Sequence, residues 1–386
     1  MRTLVLTGPG GAGVSTLAAA AAVRAAGAGR STLLLSRQPV PVAGLADVPG
    51  LQVRTVDAGT AVERFWAGTV APAAGALPQL ALPPASSVTP LPGAAELALF
   101  AELGRASADL VVVDAGSPAD AAALLALPAT LRWWLDRLLP PGARALGAIR
   151  SAAVTSGAAR RGPVDAALAL LPQLEELLAV DRLADVAGTA VALAAVPRPG
   201  TAAALRGTAT ALGLHGLRPG IVLARVLPDD GTGEWWRARR AEQDAELDAL
   251  AELAPVHRVP ETASSPADAA AATALLGDLP LPGGGLPGAG LPAPATERLD
   301  GGWELGVPLP FAERGAVGLT RWEDDLVVTA AGARRSLRLD PLLRRCEVTG
   351  GRITDAGSAD ARLVVSFRPD PQLWPADLLA AVRRTP

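Results

Sequence analysis

The stretch TLVLTGPGGAGVSTLAAAAAVRAA, residues 3–26, sets an apolar run, a glycine turn and a series of strong helix formers side by side. Thr3–Thr7 has the length and continuous apolar character of a buried strand, Gly8–Gly13 reads as a turn, and Ser15–Ala26 as a helix. Between strand and helix, Gly8-Pro9-Gly10-Gly11-Ala12-Gly13-Val14-Ser15 keeps the spacing GxxxxG-K-[ST] of a phosphate-binding loop, with Val14 at the lysine position. Glycines at this spacing let successive backbone N–H groups point at an anion, and the helix start adds unpaired N–H groups and a positive dipole end. The nucleotide-side candidates are therefore Gly8, Gly10, Gly11, Ala12, Gly13, Val14, Ser15 and Thr16, with Ser15 or Thr16 offering a hydroxyl to Mg²⁺.

Further apolar runs of strand length follow at Ser31–Ser36, Ala108–Asp114, Ala190–Val196 and Gly220–Val226, separated by helical patterns such as Ala94–Arg105. Strands alternating with helices predict an α/β fold, a mainly parallel sheet with helices on both faces. Asp114 closes the strand ADLVVVD, where a carboxylate that holds Mg²⁺ or its water shell belongs; a strand-end aspartate can also simply cap the next turn.

From Pro128 to Asp185 the pattern becomes helical, a helical subdomain over about 129–185. Leu168, Leu171, Leu174, Leu177 and Leu178 form one stripe, which reads as core packing or as a groove for apolar helices. A charged helix covers Trp235–Leu253, and adjacent tryptophans (Trp133–Trp134, Trp235–Trp236) cannot both face inward. The Pro/Gly-rich text of residues 277–299 predicts a linker after a first domain of residues 1–276. Beyond it, short alternating runs at Trp303–Leu305, Ala316–Arg321, Leu326–Thr329, Arg334–Leu339 and Leu363–Phe367 predict a small all-β sandwich over 300–372, with 373–386 as a tail. The pairs Arg334–Arg335 and Arg344–Arg345 read as solvated faces.

Composition narrows the function. The 386 residues include no lysine and no asparagine, a bias of the kind a GC-rich genome produces. Net charge is −3 with both signs spread along the chain, so no basic footprint for nucleic acid is present. The one cysteine, Cys346, excludes an internal disulfide and a CxxC zinc clasp, which fits a reducing, cytoplasmic setting. His215 and His257 have no ligand-spaced partner, so no zinc site is expected. The amino terminus carries no export pattern, and Leu17–Val23 is too short to span a bilayer.

These segments resemble the arsenite-pump (ArsA) and tail-anchored-protein-targeting ATPase family, whose deviant P-loop has the form GKGGVGK[ST]. VVVDAGSPADAAALLALP (111–128) is similar to the family's switch II, LRWWLDRLLP (131–140) to the helix after it, and PGAAE (92–96) and WWRARRAEQDAELDAL (235–250) to further family segments. The resemblance implies ATP or ADP with Mg²⁺ as ligand, a dimer, and a hydrophobic client or membrane-protein partner. It also marks departures. Pro9 stands where the family has the lysine that reaches the partner's nucleotide, Val14 at the Walker lysine, Gln38 at the switch I aspartate that orients water, and Ala224 at the adenine-binding asparagine. Arg225 and Pro260 fall in the segments that flank adenine. LPFAERGAVGLTRWEDDLVVTAAGARRSLRLD (309–340) and LVVSF (363–367) resemble the alpha-crystallin-like domain appended to some members.

Two functions follow. One is a pseudo-ATPase or weakly nucleotide-binding subunit in a chaperone, targeting or regulatory role, as a homodimer or beside an intact paralogue. The other is an active Mg-ATP hydrolase that drives targeting of apolar clients. Losing one preorganised electrostatic donor costs on the order of 10²–10³ in rate, which disfavours the second. Arsenite transport is disfavoured by the single cysteine.

Overall fold

Consecutive residues of the apolar strands face opposite sides of a sheet, and the chain uses both sides. In the computed structural model, which describes residues 2–74, 82–158, 165, 171–179, 182–282, 286, 288 and 290–374, seven strands form one sheet in the order β3-β2-β4-β1-β5-β6-β7. They are β1 Arg2–Thr7, β2 Thr32–Ser36, β3 Leu51–Thr55, β4 Leu110–Asp114, β5 Thr189–Ala195, β6 Ile221–Val226 and β7 Val256–Pro260, all paired in parallel. Val5, Leu35, Val113 and Leu193 enter one apolar cluster. Their neighbours Leu4, Leu6, Leu34 and Val112 enter the other. This is a parallel α/β sheet buried on both faces, as the sequence predicts.

On the second face lies α1, Val14–Gly27, whose Ala18–Ala22 and Ala25 are fully buried. Side chains this small let the helix sit close to the sheet. Helix α2, Ala94–Arg105, and α3, Pro118–Leu138, cover the first face together with α4, Thr201–Leu214, and α5, Glu234–Ala251. The helical region differs from expectation in one respect. The end of the switch II-like segment, from Pro118, and the helix after it are a single 21-residue helix that runs through Pro128. Ala121, Leu124, Leu125, Pro128 and Leu135 form its buried face, so packing holds the helix together where the proline removes a backbone donor. Leu171, Leu174, Leu177 and Leu178 pack against the first cluster, which makes the leucine stripe core; Leu168 lies outside the described residues. No described helix is long and apolar enough to cross a membrane.

The linker expectation needs correction. Leu279, Leu281 and Leu286 are buried against the α1 side of the sheet. Arg24 donates to the carbonyl of Gly277, and Leu291 N–H bonds to Gly216 O at 2.8 Å. Regular leucines among the prolines and glycines give the segment its own apolar contacts. Its end, Ala295–Leu299, is strand β8. With β9 Gly302–Pro308, β13 Cys346–Thr354 and β14 Arg362–Pro369 it builds an antiparallel sheet in the order β13-β14-β9-β8. A second sheet, β10-β11-β12, is made of Val317–Trp322, Asp325–Ala330 and Ala333–Arg338. Trp303, Leu305, Val307, Leu326, Val328, Val365 and Phe367 fill the space between the two sheets, giving the small all-β sandwich. Cys346 is buried there, and burial pushes its thiol up to about 11, an inert core residue. Trp374 stacks on Trp303 with ring centres 5.2 Å apart, so the sandwich extends past 372; residues 375–386 lie outside the description.

The sandwich docks on α3 and α4. Arg137, in the last turn of α3, bonds Glu323 and the buried Asp325, each at 2.6 Å, with its guanidinium 4.0 Å from the ring centre of Trp322. Trp133 donates to Asp325 at 3.1 Å, while Trp134 faces solvent. Arg335 donates to the carbonyl of Leu214 at the end of α4, which corrects its reading as a solvated residue. Burial lowers the pKa of Arg335.

Candidate functional site

The glycine loop lies at the C-terminal end of β1, between β4 and β5. Gly8 runs so close to β5 that a Cβ there would collide with the carbonyl oxygen of Ala194. Its N–H bonds Gly116 O at 3.2 Å, and the buried Thr7 hydroxyl donates to the same carbonyl at 3.0 Å. The loop then turns through Gly11 and Gly13, at φ 81° and 86°, left-handed values that glycine adopts without strain. Gly13 caps α1 with no side-chain hydrogen bond, and the first turn of the helix carries no acidic residue. The N–H groups of that turn are therefore offered to a ligand, and a Cβ placed on Gly10, Gly11 or Gly13 would meet no protein atom. This cradle fits a phosphate.

The side chains around the cradle divide by burial. Val14 is 8% exposed and, with Ala12, belongs to the apolar cluster under α1. Its isopropyl group packs into that cluster and brings no charge to the loop. Ser15 and Thr16 are half-buried in the first helical turn.

Opposite them, β2 and β4 end together, with Ser36 in register with Asp114. Asp114 is 5% exposed. One carboxylate oxygen accepts from Gly116 N–H at 3.2 Å, and the other lies 3.0 Å from the Ser36 hydroxyl. That hydroxyl is also 2.8 Å from Gln38 O and accepts from Gln38 N–H at 3.3 Å. Its single proton serves one acceptor at a time, so Ser36 ties the segment carrying Gln38 to Asp114. The Gln38 side chain is exposed. The hard oxygen donors Asp114, Ser15 and Thr16 are of the type Mg²⁺ takes.

Two residues that sequence reasoning did not single out join the site. Ser36 is the first. Arg37 is the second, with Nη1 2.8 Å from Glu96 and Nη2 2.6 Å from Asp120. Asp120 also completes a capping box with Ser117 at the start of α3. Burial works against its ionisation, but hydrogen bonds from Arg37 and Ser117 prevail and hold its carboxyl below the ordinary value. A signal for Ser36 was the hydroxyl that ends the strand STLLLS; Arg37 gave none, because its partners lie 59 and more residues away.

The segments expected to flank adenine stand at the other side. Ala224 is fully buried on β6 between Ala195 and Arg258, its methyl group in the apolar cluster. Arg225 emerges beside it, 3.9 Å from Glu261, and Pro260 is exposed opposite Val226. Hydrogen bonds thus link Gly8 to Asp114 through Gly116, and Asp114 to the backbone of Gln38 through Ser36, while the Ala224 side chain lies in the core.

Comparison with known proteins agrees with this geometry. Residues 1–260 match the family model described as anion-transporting ATPase (ArsA), and residues 300–367 match that of an HSP20-like domain found in ArsA. The uncharacterized protein SCO2128 of Streptomyces coelicolor is 37% identical over 402 residues, covering 97% of this chain and 99% of that protein. Protein Rv2184c of Mycobacterium tuberculosis is 32% identical over 433 residues, covering 97% of each chain. With its P-loop sheet, its β-sandwich and these full-length relatives, the chain belongs to the ArsA ATPase family and carries that family's HSP20-like domain.

Proposed function

We propose that this protein is a nucleotide-binding member of its family whose own loop is impaired for hydrolysis, acting as a chaperone, targeting or regulatory subunit in a dimer. The observation that carries the reading is Val14: the cradle of backbone donors is intact, yet the lysine position is an apolar side chain inside the core. Gln38 and Pro9, at positions where the related motifs carry charge, point the same way. Phosphoryl transfer depends on placed positive charge, so binding outlasts catalysis when that charge is removed. Titration of Mg·ATP into the purified chain is expected to give binding with no turnover above background. Hydrolysis that disappears in Asp114→Ala would overturn the reading in favour of an active ATPase. Mixing with an intact paralogue tests the heterodimer form, which predicts co-elution on size exclusion.

A further inference from the structure

We propose that Arg37 supplies the phosphate-directed charge that the loop lacks. The inference rests on the nucleotide-binding reading above. The chain has no lysine, so a strongly basic side chain that it directs at the terminal phosphate itself is an arginine. Arg37 follows Ser36, the last residue of β2 and the hydrogen-bond partner of Asp114. Its Nη2 lies 2.9 Å from where a Cβ on Gly116 would stand, and Gly116 O is the atom that holds Thr7 and Gly8. One residue therefore separates the guanidinium from the first glycine of the cradle.

The way Arg37 is held makes it transferable. Glu96 and Asp120 engage two of its five N–H donors, and the side chain stays 22% exposed. Two carboxylates face one guanidinium, and Asp120 keeps its capping bonds to Ser117 without it. A terminal phosphate competes for the same planar fork, which matches phosphate oxygens in pairs. Removal of the arginine and removal of its competitor then have opposite effects, an outcome that a purely structural ion bridge does not produce.

Calorimetric titration of the full chain with Mg·ATP, Mg·ADP and AMP tests this. Arg37→Gln is expected to weaken ATP binding about tenfold or more and to reduce the preference for ATP over AMP. Arg37→Lys should recover part of the loss. Glu96→Gln should tighten ATP binding a few-fold while slightly lowering Tm. ATP affinity unchanged in Arg37→Gln would overturn the inference and leave the nucleotide reading standing. Equal weakening by Arg37→Gln and Glu96→Gln, tracking their loss of Tm, would also overturn it. Absence of binding in the wild-type chain would overturn the nucleotide reading itself.

Discussion

At the scale of single residues, the site is governed by which side chains are buried and which backbone positions are crowded. Val14→Lys restores a cation at the head of α1, and the expected result is Mg·ATP affinity raised about tenfold, read by titration. The same change removes an apolar group from the cluster under α1, so Tm should fall modestly. Gly8→Ala forces a methyl group into the Ala194 carbonyl and should lower stability by about 2 kcal/mol or more, measured by denaturant unfolding. The glycine loop was legible because its spacing is local: strand, turn and helix follow within 24 residues, 3–26. Ser36 and Arg37 were not. Their roles come from β2 lying next to β4, a pairing between segments 78 residues apart that no short window contains.

Among the elements, α3 links chemistry to architecture. Its first turn holds the capping box beside Arg37, and its last turn holds the sandwich. The span is about 30 Å at 1.5 Å per residue. Ser117→Ala is expected to cost about 1 kcal/mol, the usual value of an N-cap, and to loosen Asp120 at the site. Helix α4 ends in His215, which faces the sandwich. A helix C-terminus favours the charged imidazole, but burial and then the charge of Arg335 prevail and lower its pKa to about 4, from an ordinary 6.5. The unfolded chain therefore binds the extra proton between these values. Stability should fall as pH drops from about 6.5 towards about 4, and His215→Leu should flatten that dependence of Tm on pH. Sequence reading found β1, β2, β4, β5 and β6 because each is a dense apolar run. It missed β3, β7, β8 and β13, edge strands whose residues are mostly solvent-facing and show no alternation, so their pairing follows from the neighbouring strand.

For the molecule as a whole, the contacts between sheet and sandwich are as specific as those within either. Asp325 is buried and receives both Trp133 and Arg137, so Asp325→Ala should lower Tm more than Glu323→Ala, since the Glu323 carboxylate is exposed. Both variants should quench differently from wild type in tryptophan fluorescence, since Trp133 and Trp322 lie 6.1 Å apart around Arg137.

The two cores also exchange a side chain each. Phe311, from the sandwich, sits in the apolar cluster of the large sheet, and Leu214, from α4, sits in the cluster of the sandwich. Neither half is finished without the other. Severing the chain between Pro282 and Gly290 would thus cut a covalent thread without dividing a particle. The two fragments should co-elute and melt in one transition, and a gene encoding only residues 1–276 should yield a protein that seeks a replacement surface.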